Sequence, residues 1–258
     1  MVIEFKYSSL LLPLFMISIG EVCAGFDFKH IVNTGAALEH VYTQDELYSS
    51  MTYTGWHPQF FLGYTLNSPK NEIRFSGSYG FGTLHSKKRE NVPFIDYKSL
   101  ELILLWRREL FAVKPMGLTF MAGLSVSEWY QWKYFVLLEN EFSNPFNNNI
   151  ISAGPNILLK YTTGRHLLSA ELLSPLLFCV SRRKEYNLSE YSSKIESVRS
   201  LQNFCGILEY TFQLNRRLSL SVFYQLHYMH YPACYKLNTS SDNVGLLIGF
   251  SIKGKNSQ

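Results

Sequence analysis

The sequence predicts an all-β fold: a single antiparallel, up-and-down β-barrel of about ten strands that crosses a membrane. Three observations predict it. Past an apolar leader, no stretch of about eighteen uncharged apolar residues occurs, so any crossing must be made by strands. Connections between apolar-periodic segments alternate short and long along the chain, as tight turns on one side of a membrane and longer loops on the other would. Most charged residues inside those segments keep to one phase of a period of two.

The leader runs from Met1 to Ala24, with Lys6 in a short head, an apolar run from Leu10 to Ile19 and small residues at its end. Val22 and Ala24 stand three and one residues before a cut, which marks an export signal removed to leave Gly25 first. Cys23 also raises lipoprotein processing, although Val22 stands where that processing wants a small residue. Residues 25–258 then form one barrel domain without repeats. Composition agrees: 17 Tyr and 19 Phe accompany a charged fraction of 17%. A net charge of +4 is too small to argue for nucleic acid. After cleavage Cys179, Cys205 and Cys234 remain, an odd number, so at most one internal disulfide can form.

Ten strands are expected, at residues 30–43, 51–66, 71–85, 95–108, 116–129, 149–162, 166–181, 202–214, 217–230 and 242–253. The short connections are 67–70, 109–115, 163–165 and 215–216; the long ones are 44–50, 86–94, 130–148, 182–201 and 231–241. Both termini then fall on the turn side, the periplasmic side of an outer-membrane barrel.

Alternation assigns the faces. Leu218, Leu220, Val222, Tyr224, Leu226 and Tyr228 oppose Ser219, Ser221, Phe223, Gln225 and His227, and the second set is expected to face the lumen. In the same way Leu100, Leu102, Leu104 and Trp106 point outward, while Ser99, Glu101, Ile103, Leu105 and Arg107 point inward. The inward phase collects Glu39, Arg74, Glu101, Arg107, Lys160, Glu171 and Glu209 as a polar lumen network. A charge turned to lipid would cost about 2 to 4 kcal/mol at the midplane. Lys98 is the exception, near a strand end from which it can snorkel. Bulky Phe61, Leu105, Met121, Leu158, Leu173, Leu177 and Phe223 share the inward phase, so a wide channel is not expected. Outward aromatics gather at strand ends, with Tyr64, Trp106, Tyr161, Phe212 and Phe250 toward the turns and Tyr42, Trp56, Phe178 and Tyr228 toward the loops, as two interfacial girdles would. Pro58, Pro155 and Pro175 lack a ladder donor and imply bulges or shifted registers. Cys179 and Cys205, both expected inward on consecutive strands, could pair.

The last strand organises the rest. Asn243, Gly245, Ile248 and Phe250 occupy the four constrained positions of a polar, any, Gly, any, any, apolar, any, apolar pattern. This resembles the closing strand and insertion signal of Gram-negative outer-membrane β-barrel proteins, the porin-like superfamily. One departure is that the chain runs on through Lys253 to Gln258 instead of stopping on an aromatic residue. The resemblance implies an outer-membrane location, outer-membrane lipid and lipopolysaccharide as surroundings, and the barrel-assembly machinery as a partner during insertion.

Function is less legible. The leading expectation is a small porin-like or surface-interaction barrel with a largely side-chain-filled lumen. A barrel enzyme, either a lipid A modifying hydrolase or a protease, is the second, and a soluble periplasmic lipocalin-like barrel the third. His57 and His227 are inward; His40, His85 and His230 are outward near the loop-side rim. No catalytic triad or metal-ligand spacing emerges from the sequence, and no cofactor is implied. Ten-stranded outer-membrane proteases place acidic residues and an Asp-His pair at the loop-side rim, which Asp45 and Glu46 resemble only vaguely. Lipid A deacylases carry His, one residue, then Ser; here Ser86 follows His85 directly. Two basic clusters, Lys87, Lys88 and Arg89, and Arg182, Arg183 and Lys184, begin just past the loop-side strand ends and could meet lipopolysaccharide phosphates. The aromatic loop from Tyr130 to Asn148, with Trp132, Tyr134, Phe135, Phe142 and Phe146, could fold over the mouth or bind an extracellular partner.

Overall fold

The computed structural model describes residues 29–45, 49–87, 94–135, 146–183, 191–197, 202–232 and 236–252. Its strands are β1 Lys29–Asp45, β2 Ser49–Asn67, β3 Asn71–Ser86, β4 Ile95–Val113, β5 Leu118–Phe135, β6 Phe146–Thr163, β7 His166–Leu173, β8 Leu177–Arg183, β9 Tyr191–Ser197, β10 Gln202–Gln213, β11 Leu218–Tyr231 and β12 Leu237–Ile252. Sequence neighbours pair antiparallel from β1 to β7, from β8 to β9 and from β10 to β12; β6 also pairs with β8, β7 with β10 and β1 with β12, so the sheet returns on itself. Counting β7 and β8 as one interrupted strand, ten strands close the barrel among the described residues and β9 is an extra one. Along its turn-side part the ring pairs strand to strand all the way round among the described residues, as membrane embedding requires of a β structure.

The turn-side connections are short and chemically apt. Ser68 Oγ accepts from the Asn71 amide at 2.9 Å. Lys114–Met116 forms one 3-10 turn that ends at Gly117, whose φ of 65° a side chain would resist. The turn between β6 and β7 uses Gly164 at φ 57° for the same reason.

Three expectations change. First, the strands run further than alternation indicated: β5 extends to Phe135 and β6 begins at Phe146, so Tyr130, Trp132 and Tyr134 belong to strand, not to a covering loop. Phe142 lies outside the described residues. Second, the expected long connection 182–201 contains β9, which pairs with β8. Third, the strand expected at 166–181 is broken. Leu173 pairs opposite Asn156, but Leu177 resumes opposite Ala153, one residue out of step. Pro155 and Pro175 sit at this break, where the ladder loses donors and the Ser174 and Leu176 amides turn to the Pro155 and Ala153 carbonyls.

A one-residue slip turns every following side chain to the other face. Phe178, expected in the outer girdle, is 2% exposed in the lumen, and Leu177, expected inward, is 61% exposed. The same slip separates the cysteines. Cys205 pairs opposite Leu173 in the buried phase, whereas Cys179 stands on β8, which pairs with β6 and β9, in the phase opposite to buried Phe178 and Val180. Both thiols are free. Cys234 lies outside the described residues. At Pro58 the outcome differs again: pairing of β2 with β3 is interrupted from Gly55 to Pro58 but resumes in register at Gln59 opposite Gly80.

Candidate functional site

Inward residues fill the lumen at three levels. On the turn side, β3, β4, β6 and β7 bring charges together. Arg74 Nη2 donates to both oxygens of Glu171, at 2.6 and 2.8 Å. Arg107 lies between two carboxylates, with Nη2 3.1 Å from Glu171 Oε1 and Nε 3.2 Å from Glu72 Oε1. Lys160 Nζ reaches Glu72 Oε2 at 2.5 Å. Arg107 is completely buried. Such groups leave water only in company, because an unpaired charge in this setting is strongly destabilising.

The middle level holds smaller polar groups. Glu39 pairs with buried His57 at 2.7 Å, and Tyr97 packs against that ring. Glu101 lies 4.0 Å from His227, whose Nε2 contacts Asn203 Oδ1 at 2.8 Å and whose ring leans on Trp129. Asn243 donates to Gln59 Oε1 at 2.8 Å. A cavity of about 100 Å³ remains here, lined by Phe61, Arg74, Ser78, Glu101, Glu209 and Phe223 among others. It has room for a few water molecules.

On the loop side apolar clusters share the lumen with buried Thr43, Gln131, Lys133, Asn148 and Thr239. Trp129, Ile150, Phe178, Val180, Met229, Tyr231 and Leu237 form one buried cluster, and Val41, Tyr53, Leu84, Ile95 and Tyr97 a second. Lys133 is threaded through this level, its Nζ 3.2 Å from Thr43 Oγ1.

The expected lumen network therefore divides. Arg74, Arg107, Lys160 and Glu171 come together, with Glu72 as a partner that the sequence reading passed over although it shares the phase of Arg74. Glu39 and Glu101 belong to the histidines one level up, and Glu209 accepts from Thr211 at 3.0 Å. Of the closing-strand pattern, Asn243 and Gly245 face the lumen and Ile248 and Phe250 are exposed outside. Lys87 is described and places Nζ 5.5 Å from the Tyr42 ring centroid. Arg182 and Arg183 end β8. Lys88, Arg89, Lys184 and Glu46 lie outside the described residues, as does the leader.

On the outer face the fold makes one meeting that no spacing announced. His40 of β1 stands opposite Trp56 on β2 and Asp242 on β12, with Thr54 diagonal to it. Its two ring nitrogens contact Thr54 Oγ1 at 2.8 Å and Asp242 Oδ1 at 3.3 Å.

No family model matches the chain, and no curated protein matches it. Solved structures do. The outer membrane protease OmpT from Escherichia coli superposes with a TM-score of 0.59 at 7% identity, covering 89% of this chain and 99% of that one. The translocator domain of the autotransporter NalP from Neisseria meningitidis gives 0.45 at 10% identity over 93% and 94%. Neisserial surface protein A gives 0.40 at 10% identity over 86% and 97%. At such identities the likeness to the protease speaks for architecture, and it agrees with the strand pairing: the chain has the closed, ten-stranded antiparallel fold of outer-membrane β-barrel proteins.

Proposed function

We propose that the chain is an integral outer-membrane barrel with a closed lumen, a scaffold that presents its loop-side surface and outer wall instead of conducting solutes. One observation carries this reading: polarity is inverted. Leu38, Phe60, Leu62, Leu124, Leu168, Leu208, Leu246 and Ile248 are each more than two-fifths exposed on the outside, while Arg107, Glu72 and Glu171 are buried within. A soluble ligand-carrying barrel would need a polar outer wall, where this one exposes Leu and Phe. The filled lumen argues against a pore, since ten strands enclose little more than their own side chains. Loop-side Trp56 at 59% exposure and turn-side Trp106 at 46% suit the two interfaces. Export by the leader, insertion through the closing strand and a turn-side periplasmic face belong to this proposal, as does phosphate contact by Lys87.

Reconstitution into vesicles tests it. The unmodified protein is expected to resist alkaline carbonate extraction and to show no large stable conductance in planar bilayers. Leu246→Arg, near the middle of β12, should lower stability by about 2 to 4 kcal/mol in lipid. Free solubility without detergent, or a neutral Leu246→Arg, would refute membrane embedding; a large conductance would refute the closed lumen.

A further inference from the structure

We infer that the outer wall carries a hydrolytic site for fatty-acyl esters of phosphate-bearing membrane lipids, with Thr54 as nucleophile, His40 as general base and Asp242 as its orienting acid. This rests on the membrane placement proposed above and goes beyond the scaffold role.

The geometry is that of an activated hydroxyl. A hydroxyl at its free pKa is a poor nucleophile and needs a base within hydrogen-bond reach, itself held by a third group. Thr54 Oγ1 lies 2.8 Å from His40 Nε2, and His40 Nδ1 lies 3.3 Å from Asp242 Oδ1. The nucleophile thus meets Nε2 and the carboxylate meets Nδ1, the arrangement that holds the imidazole in the tautomer able to take the hydroxyl proton. Three adjacent strands supply one residue each on the same face, Asp242 directly opposite His40 and Thr54 diagonal to it. The Trp56 ring stacks on the imidazole at 4.6 Å between centroids and steadies its plane.

The location selects the substrate. His40 and Asp242 side chains are 32% and 37% exposed, so the site opens outward, not into the lumen. Toward mid-wall the same face offers Leu38 and Phe60, each about half exposed, as a surface for an acyl chain. Toward the loops it offers Tyr42 with Lys87 beside it, a cation where a lipid phosphate would lie. The scissile ester between chain and headgroup then falls at the level of Thr54.

The step balances with water as the second reactant. Thr54 Oγ1 attacks the acyl carbon as His40 Nε2 takes its proton. The carbon–oxygen bond to the headgroup breaks, and His40 returns the proton to the departing alkoxide, leaving an acyl ester on Thr54. Water, deprotonated by His40, attacks that ester; the fatty acid leaves and Thr54 regains its proton. Asp242 accepts the Nδ1 hydrogen bond throughout.

The test incubates the full chain in phospholipid vesicles and in vesicles containing lipopolysaccharide, and measures released fatty acid by mass spectrometry. Carbonate extraction and unheated gel mobility of the same samples report insertion and folding, and a short acyl ester in detergent micelles provides a readout that needs no bilayer. Release is expected from at least one vesicle type, and which one identifies the lipid source. Thr54→Val, which keeps shape but loses the hydroxyl, and His40→Gln should each lower it at least about 100-fold, and Asp242→Asn at least about 10-fold, with folding unchanged. An acyl adduct on Thr54 should be visible by peptide mapping. Inserted protein that releases nothing from either vesicle type overturns the inference while the membrane placement stands. Folded protein that does not insert but cleaves the micellar ester supports the site and overturns the placement; one that does neither overturns both. Thr54→Val that matches the unmodified rate also overturns it.

Discussion

Replacing Arg107 with Ala is the sharpest probe of the lumen. The guanidinium is completely buried between Glu72 and Glu171, both more than nine-tenths buried. Removing one partner of a buried ion pair costs about 3 to 5 kcal/mol when the remaining charge has nothing else. Here each carboxylate keeps another cation, Glu171 its two contacts from Arg74 and Glu72 its contact from Lys160. The loss should therefore fall at the lower end, about 3 kcal/mol, or roughly a 100-fold shift toward the unfolded chain. Arg74→Ala should cost less, because that side chain is 20% exposed and Arg107 remains beside Glu171. Arg107→Ala combined with Glu171→Ala should cost less than the sum of the two single changes, since the pair is coupled. Urea unfolding of vesicle-reconstituted protein, followed by tryptophan fluorescence and unheated gel mobility, measures all three. A midpoint for Arg107→Ala equal to that of the unmodified protein would show that these charges are solvated, not networked, and would refute the reasoning.

Other outcomes are expected. Gly245→Val should destabilise by about 1 to 3 kcal/mol as overpacking does, because a Cβ there would stand 2.5 Å from the Phe223 ring and 2.7 Å from Ala37 Cβ; Phe223→Ala should relieve part of it in the same unfolding assay. Cys179→Ser and Cys205→Ser should leave non-reducing gel mobility unchanged, and in the folded barrel an aqueous maleimide should leave Cys205 unlabelled; a mobility change on reduction that either substitution abolishes would contradict the opposed faces. Intact-mass analysis of exported protein should show Gly25 as the first residue, and a retained Met1 in inserted material would remove the export argument.

Much of the architecture was legible because it depends on a local, repeating constraint. In a wall one residue thick, each side chain faces either inside or out, so the placement of Leu218 to Tyr228 follows from parity, and the charges sort with it. The turns were legible from Gly164 and Ser68, whose conformational and hydrogen-bonding roles are local. Glu72 was within reach by the same parity as Arg74, but it stands at a strand start, where the boundary is least certain.

What the sequence alone determined, then, is the barrel's up-and-down course, its apolar outer wall and which side carries the loops, since these rest on periodicity within a strand and on the lengths of the connections. Only tertiary structure decided the rest. The slip at Pro155 and Pro175 that turns Phe178 inward and Cys179 away from Cys205 depends on how two strands register, and one missing pair of ladder contacts shifts everything beyond it. Arg107 meets Glu72 through the register of neighbouring β3 and β4, and meets Glu171 only by reach across the lumen to β7. The meeting of Asp242 with His40, 202 residues apart, exists only because β12 closes against β1. Alternation states which way a side chain points; only closure of the ring states what it meets there.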